Sequence, residues 1–156
     1  YMQKYLLIFS IILSFSCKKE KVDEKEIYFE NQLIGKWIYN ELKINGILYS
    51  YQHNPNCQKD RFYFVNRTFQ DHDYTEVLYL YTHCASSITG MDWKLQGRNL
   101  ILNFGKQLFN YKILRLDPTN LDVSISIDYD GDGKVDDVEI YAIKDPCNVS
   151  DDINCQ

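Results

Sequence analysis

From residue 33 to residue 143 the chain is a series of short runs, most of five to ten residues, rich in β-branched and aromatic side chains and parted by turn residues. That pattern narrows the fold class more than any other feature, because such side chains fit a pleated, half-buried surface. The clearest run is LDVSISIDY at 121–129. There Leu121, Val123, Ile125 and Ile127 alternate with Asp122, Ser124, Ser126 and Asp128, the period of a strand with one buried face. LIGKWIYNELKI and ILYSY flank Asn45-Gly46, whose tolerance of positive φ makes it the strongest short hairpin signal. Further strands are expected over 61–65, 75–84, 90–96, 99–104, 108–116 and 135–143. Beyond residues 1–16 no stretch of ten or more residues keeps a helical period with good helix formers, so little helix is expected.

Eight or nine such strands in succession make an all-β, antiparallel meander, and an up-and-down barrel of about eight strands is the expected closure. It leaves no exposed edge, and its interior holds side chains or one small ligand. The 13 Tyr and 8 Phe suit it, because wide rings fill a curved sheet while a Tyr hydroxyl still reaches water or a buried partner. A two-sheet sandwich uses the same strands, and periodicity does not separate the two.

The N-terminal stretch YMQKYLLIFSIILSFSC has one cation, Lys4, then a short apolar run and the small residue Ser16. That is the layout of an export signal over residues 1–16, too short for an ordinary spanning helix. The cysteine directly after it resembles a bacterial lipoprotein box. The resemblance implies lipidation of Cys17, attachment to a membrane through that lipid, and a place on the outer membrane facing the periplasm or the cell surface. The charged stretch KKEKVDEKE has no core-forming pattern, so residues 17–31 are expected to form a flexible linker and residues 32–156 the barrel domain.

The chain carries 22 Asp and Glu against 17 Lys and Arg. Nucleic acid is not an expected partner, because binding a polyanion releases counterions only where the protein brings positive charge. The length fits one domain, expected to be a monomer. Export permits disulfides, and after Cys17 four cysteines remain: Cys57, Cys84, Cys147 and Cys155. Three pairings are possible; local spacing favours Cys147 with Cys155 and Cys57 with Cys84. Zinc is disfavoured, since no CxxC or closely spaced His accompanies them.

The stretch Leu33-Ile34-Gly35-Lys36-Trp37 resembles the Gly-x-Trp of lipocalins, and over roughly residues 33–143 the chain resembles the short lipocalin-like lipoproteins of Bacteroidota. Cys57-Gln58-Lys59-Asp60-Arg61-Phe62 ahead of a strand, and Trp93, Leu95, Gly97 and Leu100 in a late W-x-L-x-G-x-x-L, carry the rest of the likeness. It implies a lipocalin-like barrel whose base is made by Gly35 and Trp37, the glycine allowing a tight approach and the indole plugging the closed end. It also implies a small apolar or amphipathic ligand. The classical family adds a late Arg against that Trp and a C-terminal helix, and neither stands out here.

Between the last two expected strands lies DYDGDGKVDDVE, residues 128–139, in which six of twelve residues are acidic. Asp128, Asp130, Asp132 and Asp136 fall at positions 1, 3, 5 and 9 of a calcium loop, Gly133 at 6, the Lys134 carbonyl at 7 and Glu139 at 12. Calcium takes six to eight hard oxygens, and a cation relieves the repulsion among crowded carboxylates. The flanks are strands rather than the helices of an EF-hand, so the loop resembles the DxDGDGxxD turns of extracellular β-hairpins and dockerin-like repeats. Ca2+ is the expected cofactor, with Glu139 the ligand a strand most easily carries out of reach. A solvated acidic turn would use the same residues.

His53, His72 and His83 show no metalloprotease spacing, with His72 in an expected turn, and the chain has no GxSxG, HExxH or glycine-rich phosphate loop. No enzymatic activity is expected. Two functions remain: a binding module for a small molecule, or a structural or interaction lipoprotein with a solid, calcium-stabilised core that meets a protein or glycan. An apolar internal volume of about 300 Å³ or more separates them.

Overall fold

The computed structural model describes residues 24–67, 71–79 and 84–146. Residues 1–16, where an export signal is expected, and Cys17, Cys147 and Cys155 lie outside these residues. One helix, α1 (Glu24–Leu33), precedes nine strands: β1 (Gly35–Ile44), β2 (Ile47–Ser50), β3 (Arg61–Arg67), β4 (Asp71–Tyr79), β5 (Ser86–Gln96), β6 (Asn99–Phe104), β7 (Gln107–Leu116), β8 (Asn120–Ile127) and β9 (Asp136–Lys144).

From β3 to β9 each strand pairs antiparallel with the next, and β1 pairs with both β3 and β9. Eight strands, β1 with β3 to β9, therefore close an antiparallel barrel. Closure turns on β1: Trp37 to Ile44 run against Lys144 to Val138, so the first and last strands satisfy each other's backbone groups and no sandwich edge is left. The ninth strand, β2, pairs only with residues 41–44 of β1. It returns through Asn45 (φ 50) and Gly46 (φ 85), the positive angles that a twisted two-residue hairpin requires. A bulge between Tyr39 and Glu41 frees the Asn40 carbonyl to accept from the Tyr51 N–H at 2.9 Å.

An up-and-down barrel sends alternate connections to opposite ends. The β5–β6 and β7–β8 turns share one end with α1, which lies against β5 and β7 and has the Arg98 guanidinium 5.9 Å from the Phe29 ring. The β1–β2, β6–β7 and β8–β9 turns share the other end. Burial is unequal between them. Leu33 and Trp37 are fully buried beside the helix, whereas Ile47, Tyr49 and Phe104, at the far end, are 59, 48 and 53 % exposed. The barrel thus has one plugged end, and opposite it an end where apolar side chains are left exposed.

Two expectations are corrected. The linker was placed up to residue 31, yet α1 occupies 24–33, with Leu33 fully buried. Phe29 and Leu33 are four residues apart on one face, and packing on the barrel end supplies what a weak amphipathic pattern does not. His72 was expected in a turn; its backbone instead pairs with Asn66 in the β3–β4 ladder. Among the described residues no helix is long and apolar enough to cross a membrane.

Candidate functional site

The plugged end is built around Trp37. Its Nε1–H donates to the Leu33 carbonyl at 2.8 Å, so the last residue of α1 is tied to the first turn of β1. Gly35 between them has φ 126, an angle side chains disfavour. Lys144, the register partner of Trp37 across β1 and β9, places its Nζ 4.2 Å from the indole centroid. It also donates to the carbonyls of Gln32 at 2.9 Å and Ile34 at 2.6 Å. Burial holds its pKa below the usual lysine value, yet the ammonium keeps two carbonyl partners and a ring face. Among the described residues it is Lys144, and not a late arginine, that faces the Trp37 ring. The signal was available, as a cation at the last position of the last strand.

The inner surface farther from the helix is aromatic, and the carboxylate of Glu76 stands beside it. Tyr39, Phe62, Tyr74, Tyr111 and Ile140 help to line a space that admits water-sized groups over about 30 Å³. It reaches about 320 Å³ only when every gap out to open solvent is counted. The smaller figure measures the free room, about that of one or two waters, so the closed half of the barrel is filled. Beside this space Tyr39 donates its hydroxyl to Glu76 Oε1 and stacks on Tyr51 with centroids 4.9 Å apart. Tyr51 in turn donates to buried Asp60 at 3.0 Å. His53 closes the cluster: its Nδ1 accepts from the Asp60 N–H at 3.0 Å, leaving Nε2 as donor to the Tyr39 carbonyl at 2.7 Å. Both ring nitrogens are therefore committed to the loop, and His53 acts as a pin between residues 39 and 60.

Burial raises the pKa of Tyr39 most, with neighbouring Tyr74 and then Glu76 adding to it; burial and then the charge of Glu76 raise that of Tyr74 and push Tyr111 up to about 12. An unfolded chain releases these protons near pH 10 while the fold retains them, so the unfolded state binds fewer protons and stability falls as pH rises above about 10. Urea midpoints at pH 8.5 and 11 should show this loss, and Tyr39→Phe should reduce its slope. A flat profile would mean that these hydroxyls are open to water.

The second cluster is the β8–β9 turn at the end opposite the helix. Gly131 (φ 78) and Gly133 (φ 87) let the chain coil so that their N–H groups donate to Asp128 at 2.8 and 3.0 Å. Asp136 accepts from the Tyr129 N–H at 3.1 Å and from the Asn45 side chain at 2.6 Å, which fastens the turn to the β1–β2 hairpin. One carboxylate oxygen from each of Asp128, Asp130 and Asp136 lies within 4.8 Å of the others. Oxygens about 2.4 Å from one ion are separated by at most about 4.8 Å, so this donor set fits a hard cation.

The other residues of the expected ligand set lie elsewhere. Asp132 turns to Lys134, accepting from its Nζ at 2.8 Å, and that contact lowers its pKa. Glu139 is outside the cluster: it accepts from Lys43 at 3.0 Å and from the Tyr141 hydroxyl, and those bonds, Tyr141 first, lower its pKa. The reason is geometric. Three strand residues beyond Asp136 carry it about 10 Å along β9, opposite Lys43 in register. Cys57 and Cys84 form a disulfide with Cα atoms 5.4 Å apart, joining the β2–β3 loop to the β4–β5 connection.

No family of known protein domains matches the chain, and no curated protein is similar to it. Among solved structures, it is similar to the bovine odorant-binding protein in a deswapped triple-mutant form. Identity is 15 %, the match covers 74 % of this chain and 75 % of that one, and the TM-score is 0.46. The barrel itself rests on its own strand pairing.

Proposed function

We propose that this chain is a lipid-anchored, lipocalin-like binding module that takes a small molecule at the open end of its barrel, with the acidic turn as a calcium site bracing that end. One observation carries the binding reading: a closed barrel sealed by α1 and Trp37 at one end, with apolar side chains left exposed at the other. The free room of about 30 Å³ falls far short of the internal volume of about 300 Å³ that a ligand enclosed in the barrel needs, so this reading places the ligand at the mouth, with only a small group sent inward. A neutral fluorescent probe such as N-phenyl-1-naphthylamine should bind saturably, one to one, with blue-shifted emission. The same small cavity favours the second reading, a solid structural barrel that meets a protein or glycan. Absence of probe binding by the folded protein would decide for it.

Calcium held by Asp128, Asp130 and Asp136 would offset the charge crowded at the rim. Calcium at one hundred times its Kd should stabilise the fold by about 2.7 kcal/mol. Asp130→Asn keeps an acceptor for the Asp132 N–H, now at 3.1 Å from Asp130, and removes the charge. It should abolish the difference in melting temperature between calcium and chelator. Equal melting of the unaltered protein in both would refute the site.

The anchor is Cys17, which would set the domain on the outer membrane, facing the periplasm or the cell surface. Labelled palmitate should enter the unaltered precursor and not Cys17→Ala; equal labelling would refute it.

A further inference from the structure

The inner wall at the mouth is not neutral. Glu76 pairs in register with Phe62 across β3 and β4 and shares its strand face with Tyr74, so its side chain stands among the core aromatics. A carboxylate on a largely apolar wall is costly unless it is paired and hydrogen-bonded. Here Oε1 receives the Tyr39 hydroxyl, and among the described residues no hydrogen bond reaches Oε2 and no cation forms an ion pair with Glu76. Tyr39 donates to it, and Tyr74 and Tyr111 feel its charge; these three phenol rings, though not Glu76 itself, border the 30 Å³ space. A carboxylate within a set of aromatic faces is the chemistry that receives an ammonium group, through a charge-assisted hydrogen bond and attraction to the ring quadrupoles.

We propose, building on the binding-module reading, that the barrel selects organic cations: a primary or secondary amine enters by the open end and seats its nitrogen on Glu76 among Tyr39, Tyr74 and Tyr111. Size sets the limit: the 30 Å³ space is bordered by the three tyrosines and not by Glu76, so only an ammonium head reaches the carboxylate beside it while the rest of the molecule lies in the mouth. Charge agrees. Asp128, Asp130 and Asp136 sit at the same end, and the chain's net charge is −5, a field that draws in cations and repels carboxylates. The burial of Tyr39, Tyr74 and Tyr111, with Glu76 adding to it, keeps their hydroxyls protonated, so they line the seat as neutral donors.

Calorimetric titration of the purified protein with 2-phenylethylamine, 2-phenylethanol and phenylacetate compares one carbon frame in three charge states. The amine should bind at least tenfold tighter than the alcohol, and phenylacetate most weakly. Glu76→Gln should erase the preference, bringing the amine and alcohol affinities within about twofold of each other. An alcohol that binds as tightly as the amine overturns the amine seat and leaves the binding module standing. An amine preference that survives Glu76→Gln overturns it too, by assigning the attraction to the rim. Failure of all three to bind removes the binding module itself. Should Glu76→Gln not fold, nuclear Overhauser contacts in the unaltered protein decide: the methylene beside the amine nitrogen should contact the Tyr39 and Tyr74 rings, and their absence overturns the assignment.

Discussion

Trp37→Ala is expected to remove about 3–5 kcal/mol of stability, a large part of the 5–15 kcal/mol typical of a domain. The indole is fully buried, and the substitution opens a cavity at the one point where α1, β1 and β9 meet. It also strips Lys144 of its ring face and the Leu33 carbonyl of its donor. Trp37→Phe separates these contributions. It keeps an aromatic face under the ammonium and loses the N–H and some volume, for an expected cost of about 1–2 kcal/mol. Lys144→Arg should be tolerated, because a guanidinium retains both the stacking and the donors to the carbonyls of Gln32 and Ile34. Lys144→Met should not. Urea unfolding of the four variants reads the series, and a loss below about 1 kcal/mol for Trp37→Ala would show that the helix caps the barrel without the indole.

How much of this was legible beforehand depended on whether the information is local. Leu121 to Ile127 alternate so cleanly that β8 needed no partner to be recognised, and Asn45-Gly46 carries its own backbone requirement. The spacing of Asp128, Asp130 and Asp136 also lies within one turn, and the fold brings those three together. Glu139 misled because the calcium-loop numbering assumes a coil that turns back, whereas β9 is already extended there. Features set by pairing across the barrel stayed hidden. Glu76 sits in a run whose alternate positions both carry apolar residues, Tyr74 and Leu78 on one face and Val77 on the other. Its inward direction follows only from the register with Phe62. Lys144 becomes the partner of Trp37 only once β1 and β9 close the sheet. α1 was hidden for the same reason, since the surface that holds Phe29 and Leu33 belongs to strands far away in sequence.

Breaking the Cys57–Cys84 disulfide should rank beside loss of Trp37. The bond spans 27 residues of separation, and a closed loop of that length restricts the unfolded chain by about 3.5 kcal/mol on the chain-entropy account. The placement adds a local consequence. Cys57 lies three residues before Asp60, which accepts from both the Tyr51 hydroxyl and the Tyr79 N–H, and Cys84 follows the strand that carries Glu76. Release of the bridge therefore loosens both walls of the open end. Cys57→Ser, Cys84→Ser and the double variant should lose nearly equal stability, because removing the second sulfur deletes nothing the first left intact. Binding of the neutral probe should weaken in all three, while the plugged end, read by the burial of Trp37 in fluorescence, stays unchanged below the unfolding transition. A double variant markedly less stable than either single one would assign the cysteines packing roles beyond their bond. Unaltered probe affinity would separate the bridge from the mouth.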